Sequence, residues 1–186
     1  MAVARSCPPD EIHSDGLLIR RYVPSDAVDL HESVLASHDH LSSWMAWIAY
    51  EPQSIEERAS LIEKWIEDWN ARSDFVMCIR MGHQFVGSTG VHLRGAVDTV
   101  EIGYWVDVRH LGNRIAQRAT NALTRTAFDT WPHVGKVEIH VDANNVASIK
   151  VAETCGFVLS GEENRTPLAP GESGRLLHWR KERPTN

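Results

Sequence analysis

Cysteine, long apolar runs and surplus positive charge are all scarce in this chain of 186 residues. Its three cysteines, Cys7, Cys78 and Cys155, are odd in number and show no C-x-x-C spacing. That argues against a disulfide framework and a cysteine-built metal centre, and it suits reduced thiols in the cytoplasm. No apolar run approaches the roughly 20 residues that a bilayer span requires. The stretch MAVARSCPPDE lacks the apolar core of a signal peptide. The expectation is a cytoplasmic protein with no membrane partner. A net charge of −6 argues against non-specific nucleic-acid binding and leaves room for a basic or polar partner. No G-K-[ST] and no G-x-G-x-x-G after a strand is present, so the common nucleotide-binding loops are missing.

What is there fits one globular domain: 42% hydrophobic and 24% charged residues, over a length that can bury a sizeable core. The informative stretch is residues 99–127. Val100, Ile102, Tyr104, Val106 and Val108 alternate with Glu101, Gly103, Trp105 and Asp107, which predicts a half-buried strand. Leu111-Gly112-Asn113-Arg114 interrupts it, and Ile115, Ala116, Ala119, Ala122, Leu123 and Ala127 return at helical spacing. A strand feeding a helix through a short glycine turn aims backbone N–H groups and the positive end of the helix dipole at one point. An anion such as a phosphate is the natural occupant, although a bare turn can also serve only to reverse the chain.

The flanking sequence supplies the rest. Residues 1–15 read as a loose N-terminal segment and residues 17–23 as a strand. Pro24 and Ser25 open a helix whose buried stripe is expected at Ala27, Leu30, Val34 and Leu35. Trp44, Met45, Trp47 and Tyr50 crowd one short segment, which fits either a core-capping turn or a wall of a substrate cleft. Ser54-Ile55-Glu56-Glu57 is a capping box that starts the next helix. Strands follow at 75–79 and 84–93 around a Gly82-His83 turn, and Gly95 marks the turn into the residue-99 strand. Residues 136–142 alternate again. Asn144-Asn145 can cap a helix over 146–155, and Gly156 stands where a left-handed C-terminal cap would. Phe157-Val158-Leu159 starts a strand, residues 160–174 read as a mobile loop, and residues 175–180 form a last strand. The order predicts an α/β fold of α+β mixed type, a mixed, mostly antiparallel sheet of about seven strands with helices on both faces. Its domain runs over residues 16–183.

Three runs, in this order, carry a resemblance. They are Glu101-Ile102-Gly103-Tyr104-Trp105-Val106, then Arg109-His110-Leu111-Gly112-Asn113-Arg114-Ile115-Ala116, then Asn145-Val146-Ala147-Ser148 with Glu153-Thr154-Cys155-Gly156-Phe157. Together they resemble the EIGYW strand, the Q/R-x-x-G-x-G/A loop and the N-x-x-S…E-x-x-GF helix of the GNAT acyltransferase superfamily, in its RimJ/RimL-like branch. The likeness covers nearly the whole chain, from Leu17 to about Lys181. One position departs from it. Arg114 stands where the loop has a small residue, and it can either pair with a phosphate oxygen or crowd the pyrophosphate.

The resemblance implies acetyl-CoA as co-substrate, no metal, and direct acetyl transfer to a primary amine without a covalent intermediate. Backbone groups of Trp105, Val106 and Val108 would pair with the pantetheine arm. N–H groups of Leu111, Gly112, Asn113, Arg114, Ile115, Ala116 and Gln117 would hold the pyrophosphate, with Arg109 adding charge. Asn145 would contact the cofactor and Ser148 would protonate the leaving thiolate; the plainer alternatives are a helix cap and an ordinary first-turn serine. Glu101 is the first choice of base, directly or through water, and His92 the second. A structural carboxylate and an unremarkable imidazole are their alternatives. Trp44, Trp47 and Glu101 would shape the acceptor cleft.

The acceptor can be weighed by its acidity. An α-amine titrates at about 7.7–8.0 and a lysine near 10.4, so an N-terminus needs less help to lose its proton. The leading expectation is therefore N-acetylation of a protein or peptide N-terminus, with a small amine such as an antibiotic, polyamine or amino-acid derivative as the alternative. A non-catalytic acyl-CoA-binding module is a third reading, prompted by Arg114, and a homodimer is left open.

Overall fold

The computed structural model describes residues 6–94 and 96–185; the expected turn at Gly95 and residues 1–5 of the expected loose segment lie outside them. Among the described residues there are eight strands: β1 (Glu11–Ser14), β2 (Leu17–Arg21), β3 (Asp74–Met81), β4 (Gln84–His92), β5 (Thr99–Val106), β6 (Lys136–Asp142), β7 (Val158–Asn164) and β8 (Arg175–Glu182). They form one sheet in the order β1-β2-β3-β4-β5-β6-β8-β7. Four helices complete the fold: α1 (Ala27–Ser42), α2 (Ile55–Asn70), α3 (Ile115–Thr130) and α4 (Val146–Thr154). The extra strand is β1, drawn from the segment expected to be loose and paired antiparallel to β2. Likewise residues 160–164, expected in a loop, extend β7 along β8.

Alternation along the strands divides the interior into two cores. One contains Phe75, Met77, Ile79, Val100, Ile102, Val137, Ile139 and Trp179, packed with Ile115, Leu123 and Phe128 of α3. The other gathers Tyr22, Leu30, Val34, Ile62 and Phe85 with α1 and α2. The caps behave as their sequences predict. Ser54 N donates to Glu57 Oε2 at 2.6 Å and Glu57 N to Ser54 Oγ at 3.2 Å, closing the box on α2. Gly156 takes φ +76° after α4.

Three irregularities set the site. First, β3 and β4 slip by one residue between Ile79 and Arg80, so Arg80 pairs with Phe85 but Ile79 with Gly87. Gly87 is obligatory there: at φ +154° a Cβ would lie 2.3 Å from the Trp105 carbonyl oxygen. Second, β5 and β6 pair in parallel only from Thr99↔Lys136 to Glu101↔Glu138, and then part. Third, the turn after β5 hangs on Asp107, which is fully buried. Its carboxylate accepts from Ser33 Oγ at 2.6 Å, from Arg109 N at 2.8 Å and from Arg109 Nη2 at 2.6 Å. Ser37 Oγ accepts from Val108 N at 3.0 Å.

Those two serines explain a correction to the expected face of α1. Ser33 and Ser37 are buried there, whereas Leu35 is exposed. Hydroxyls are needed at the face that meets a buried carboxylate and a free N–H, so the stripe is less apolar than a hydropathy pattern suggests.

Burial alone would raise the Asp107 carboxyl, but the hydrogen bonds from Arg109 and Ser33 outweigh it and hold it at about 2. A depressed folded-state value stabilises the fold above the unfolded value near 3.9, and that contribution, about 2 kcal/mol, is lost as pH falls from about 4 to about 2. Asp107→Asn should therefore lower unfolding free energy at pH 7 by about 2 kcal/mol in urea titrations, and the gap to wild type should shrink at pH 3. A gap that does not change with pH would rule out this anchor.

Candidate active site

Where β5 and β6 part, two cavities meet. The smaller, of about 290 Å³, is bounded by Leu111, Gly112, Arg114, Ile115, Ala116 and Gln117 at the start of α3. The larger, of about 660 Å³, reaches the sheet face above Glu101 and His92. Trp44, Met45, Tyr104, Trp105, Asn145 and Ser148 border both. A molecule running from the first to the second passes these six residues.

The small cleft has the features of an anion cradle. No side chain caps α3, so the N–H groups of its first turn carry no side-chain partner. Gly112 takes φ +81° and Arg114 φ +54°, which turns successive backbone groups toward the cleft. The Arg114 side chain is exposed at the cleft rim. Gln117 Oε1 is buried with no hydrogen-bond partner among the described residues. Val108, Arg109 and Asn113 are not in either cavity's wall. The Val108 N–H is taken by Ser37, the Arg109 guanidinium by Asp107, and Asn113 Nδ2 donates to the His110 carbonyl at 3.1 Å.

The large cavity has a polar floor laid by strand register. Asp74 pairs with His92, His92 with Glu101, Glu101 with Glu138, and Glu138 with Arg180, so five neighbouring strands place one polar row on one face, of which Asp74, His92 and Glu101 line the cavity. His92 Nδ1 lies 2.7 Å from Asp74 Oδ1. A carboxylate only accepts, so Nδ1 carries the proton and Nε2 is left with a free lone pair. Nε2 lies over β5: a Cβ built on Gly103 would sit 3.2 Å from it. Gly90 and Gly103 are therefore the floor that the imidazole needs.

Four carboxylates line this cavity, and three are committed. Asp74 holds His92. Asp142 accepts from Ser173 and Gly174 N–H groups at 2.8 and 3.0 Å, and Glu172 pairs with Arg165 at 2.7 Å, which ties the 165–174 loop to the end of β6. Glu101 accepts no hydrogen bond among the described residues; Arg94 Nη1 and His140 Nδ1 stand 3.9 and 3.6 Å away. A half-buried carboxylate without a close partner is a place for a cation. Trp47 and Trp105, with rings 6.2 Å apart, and Trp44 wall the cavity apolarly. Trp47 also packs on the core of α1 and α2, so this tryptophan segment both covers the core and lines the cavity.

At the junction, Asn145 Oδ1 accepts from Ser148 N at 3.0 Å, which is the helix cap that its position suggests. Ser148 is part-buried and faces both cavities. The Tyr104 hydroxyl lies beside it, buried and with no hydrogen-bond partner among the described residues. Burial pushes this phenol up to about 12, so it is a donor across the physiological range. Tyr104 and Asp74 are site residues that sequence reasoning missed, Tyr104 because it belongs to the apolar set of β5.

A family model for the acetyltransferase (GNAT) domain matches residues 16–158. The chain belongs to the GNAT acetyltransferase family. It is an acetyltransferase with acetyl-CoA as co-substrate. No protein of curated function matches the sequence significantly. Among solved structures, RimL, the ribosomal L7/L12 α-N-protein acetyltransferase in complex with coenzyme A, is similar at 21% identity and TM-score 0.83, covering 92% of this chain and 97% of that one. The microcin C7 self-immunity acetyltransferase MccE, in complex with acetyl-CoA and AMP, is 23% identical with TM-score 0.85, over 95% and 98% of the two chains. RimJ of Mycobacterium smegmatis is 21% identical with TM-score 0.80, over 92% and 85%. At these identities the likeness is one of fold.

For a GNAT enzyme the Asp74–His92 pair is testable directly. His92→Gln and Asp74→Asn should each lower kcat about a hundredfold while leaving calorimetric acetyl-CoA affinity unchanged. Full turnover in both variants would remove His92 from the chemistry.

Proposed function

We propose that the chain transfers the acetyl group of acetyl-CoA to a primary amine, with the N-terminal α-amine of a protein or peptide as acceptor, in the cytoplasm. The observation that carries this reading is Glu101, a carboxylate without a close partner at the inner end of a cavity that continues from the anion cradle. The diphosphate of the cofactor sits at residues 111–117 and its pantetheine arm follows the β5 backbone at Trp105 and Val106, where β6 no longer pairs. The thioester then lies between Ser148, Asn145 and Tyr104. The acceptor enters from the opposite side, between Trp44 and Trp47, and its ammonium is held by Glu101.

The chemistry follows from that placement. His92 Nε2 takes a proton from the amine, directly or through a water, while Asp74 stabilises the imidazolium that results. The free amine attacks the thioester carbon, the C–N bond forms and the C–S bond breaks. Ser148 Oγ–H donates to the departing thiolate and recovers the second proton that the attacking nitrogen sheds, relayed through water or the Tyr104 hydroxyl, while the first proton leaves His92 to solvent. An α-amine titrating near 8 needs only this modest help, which favours it over a lysine. RimL and a ribosomal-protein-S5-alanine acetyltransferase from Vibrio fischeri, similar in fold, support the same acceptor class. A second reading, a small-molecule amine, is favoured by the aromatic enclosure of the cavity and by the likeness to MccE.

An acceptor panel separates the two. Peptides with free N-termini should turn over and their N-blocked forms should not, as read by mass spectrometry of the products; turnover confined to free small amines would overturn the first reading. Arg114 is read here as a partner of a cofactor phosphate. Arg114→Gly, which also relieves its left-handed backbone, should weaken coenzyme A binding about tenfold and reduce its salt dependence. Tighter binding would mean instead that the side chain crowds the cleft.

A further inference from the structure

Beside the acceptor cavity, whose wall His140 joins, β6 and β8 assemble a group of side chains to which the chemistry above gives no step. His140 is opposite His178 and Glu138 opposite Arg180 in the antiparallel register. Residues two apart on a strand share a face, so Glu138, His140 and His178 converge. The two imidazoles stack with centroids 4.3 Å apart. One ring nitrogen from each histidine and one carboxylate oxygen of Glu138 all lie within 4.8 Å of one another. Tetrahedral zinc, with bonds of about 2.0–2.2 Å, wants its donors about 3.4 Å apart. The His140 Nε2 to Glu138 Oε2 edge already measures 3.2 Å, and the other edges, each within 4.8 Å, close by side-chain rotation.

Three details favour an ion over a fortuitous cluster. Arg180 Nε and Nη2 engage only Glu138 Oε1, at 2.9 and 2.8 Å, leaving Oε2 turned to His140. His178 Nε2 is sealed from solvent without a hydrogen-bond partner among the described residues, and its nearest carboxylate is Glu163, at 4.0 Å. An unpaired buried nitrogen is costly, and coordination removes the cost. Finally, with His140 Nε2 as ligand, Nδ1 carries the proton and faces Glu101 Oε2 at 3.6 Å, the carboxylate–histidine–metal arrangement that orients a ligating imidazole.

We propose that Glu138, His140 and His178 bind one divalent ion of the zinc class, and that the bound ion slows acetyl transfer by drawing Glu101 onto the His140 Nδ1–H. Two imidazoles and a carboxylate select zinc, cobalt or nickel over magnesium or calcium. Acetyl transfer itself needs no metal, so the ion is a brake. Only the braking half rests on the role given to Glu101 above.

Metal-free protein is titrated with Co²⁺ followed by visible absorption and with Zn²⁺ followed by calorimetry. One ion per chain should bind, and Mg²⁺ should not. His178→Gln and Glu138→Gln should each weaken binding at least tenfold, with acetyl-CoA affinity unchanged as the measure of an intact fold. Turnover is read as acetylated product by mass spectrometry, because zinc also binds the coenzyme A thiol. Saturating zinc should reduce it at least fivefold in the wild type and leave His178→Gln, which is outside the cavity wall, unaffected. Absent stoichiometric binding, or binding unchanged in both variants, overturns the site. Binding without any effect on turnover overturns the brake. No turnover in EDTA overturns the catalytic reading instead, and the titrations then still decide the site.

Discussion

Two parallel strands that pair for only three residues govern this molecule. β5 and β6 agree at Thr99, Val100 and Glu101, and then each follows its other neighbour: β5 stays with β4 to Val106, and β6 stays with β8 to Asp142. The right-handed twist carried along each antiparallel pair drives the two apart. Backbone groups of β5 are thereby left facing a cleft instead of a strand. Such groups need partners when covered, and an extended arm carrying amides can supply them. In the proposed placement the cofactor completes the sheet that β6 abandons. The anion cradle at α3 then fixes how far along β5 the thioester lies. Asp107 makes that distance definite, because Ser33, Ser37 and Arg109 clamp the turn between strand and helix to α1.

The parting also decides which charges are available. Glu101 and Glu138 are paired at the last point of contact, and two carboxylates in such register repel. Arg180 and His140 hold Glu138 ionised against its burial. Glu101 faces the widening gap, with Arg94 and His140 no nearer than 3.9 and 3.6 Å. One neutralised carboxylate and one open one are what a site for an amine requires, since the open one can greet a cation without competing for it internally. The same register places His140 between the two, within 3.6 Å of Glu101 and 3.2 Å of Glu138. The proposed acceptor pocket and the proposed metal site are therefore two uses of one row of side chains.

Much of this was legible in the sequence. The residue-99 strand, its glycine turn, the capping box at Ser54, the Asn145 cap and the Gly156 cap all form as their local chemistry dictates, because each depends on residues at most a few positions apart. What was hidden depends on register. Counting back from the Gly82-His83 hairpin turn places Asp74 opposite Val91. The one-residue bulge at Val86, admitted by Gly87, shifts the pairing so that Asp74 meets His92. No local pattern announces that slip, and without it His92 has no carboxylate to orient it. Leu35 and Ser33 exchange places for a similar reason: a hydroxyl is buried because Asp107, 74 residues away, needs a donor. β1 was invisible because its alternation, Glu11-Ile12-His13-Ser14, is too polar to mark an edge strand with one apolar residue.

Arg114 shows how a departure from a family pattern can be tolerated. Its backbone is left-handed, φ +54° and ψ +23°, a conformation that glycine adopts freely and that costs another residue about 1–2 kcal/mol. The side chain there is exposed at the rim of the cleft. The strain is sustained by its surroundings: the Arg114 carbonyl accepts from Arg118 N at 3.0 Å, and the turn before it is pinned through Asp107. A chain with a net charge of −6 repels a polyanionic cofactor at long range. If the proposed placement holds, an arginine at the mouth of the cleft reverses that sign locally. The small residue that the loop ordinarily has gives an unstrained turn; in the proposed placement arginine gives up that ease for a cation within reach of a phosphate.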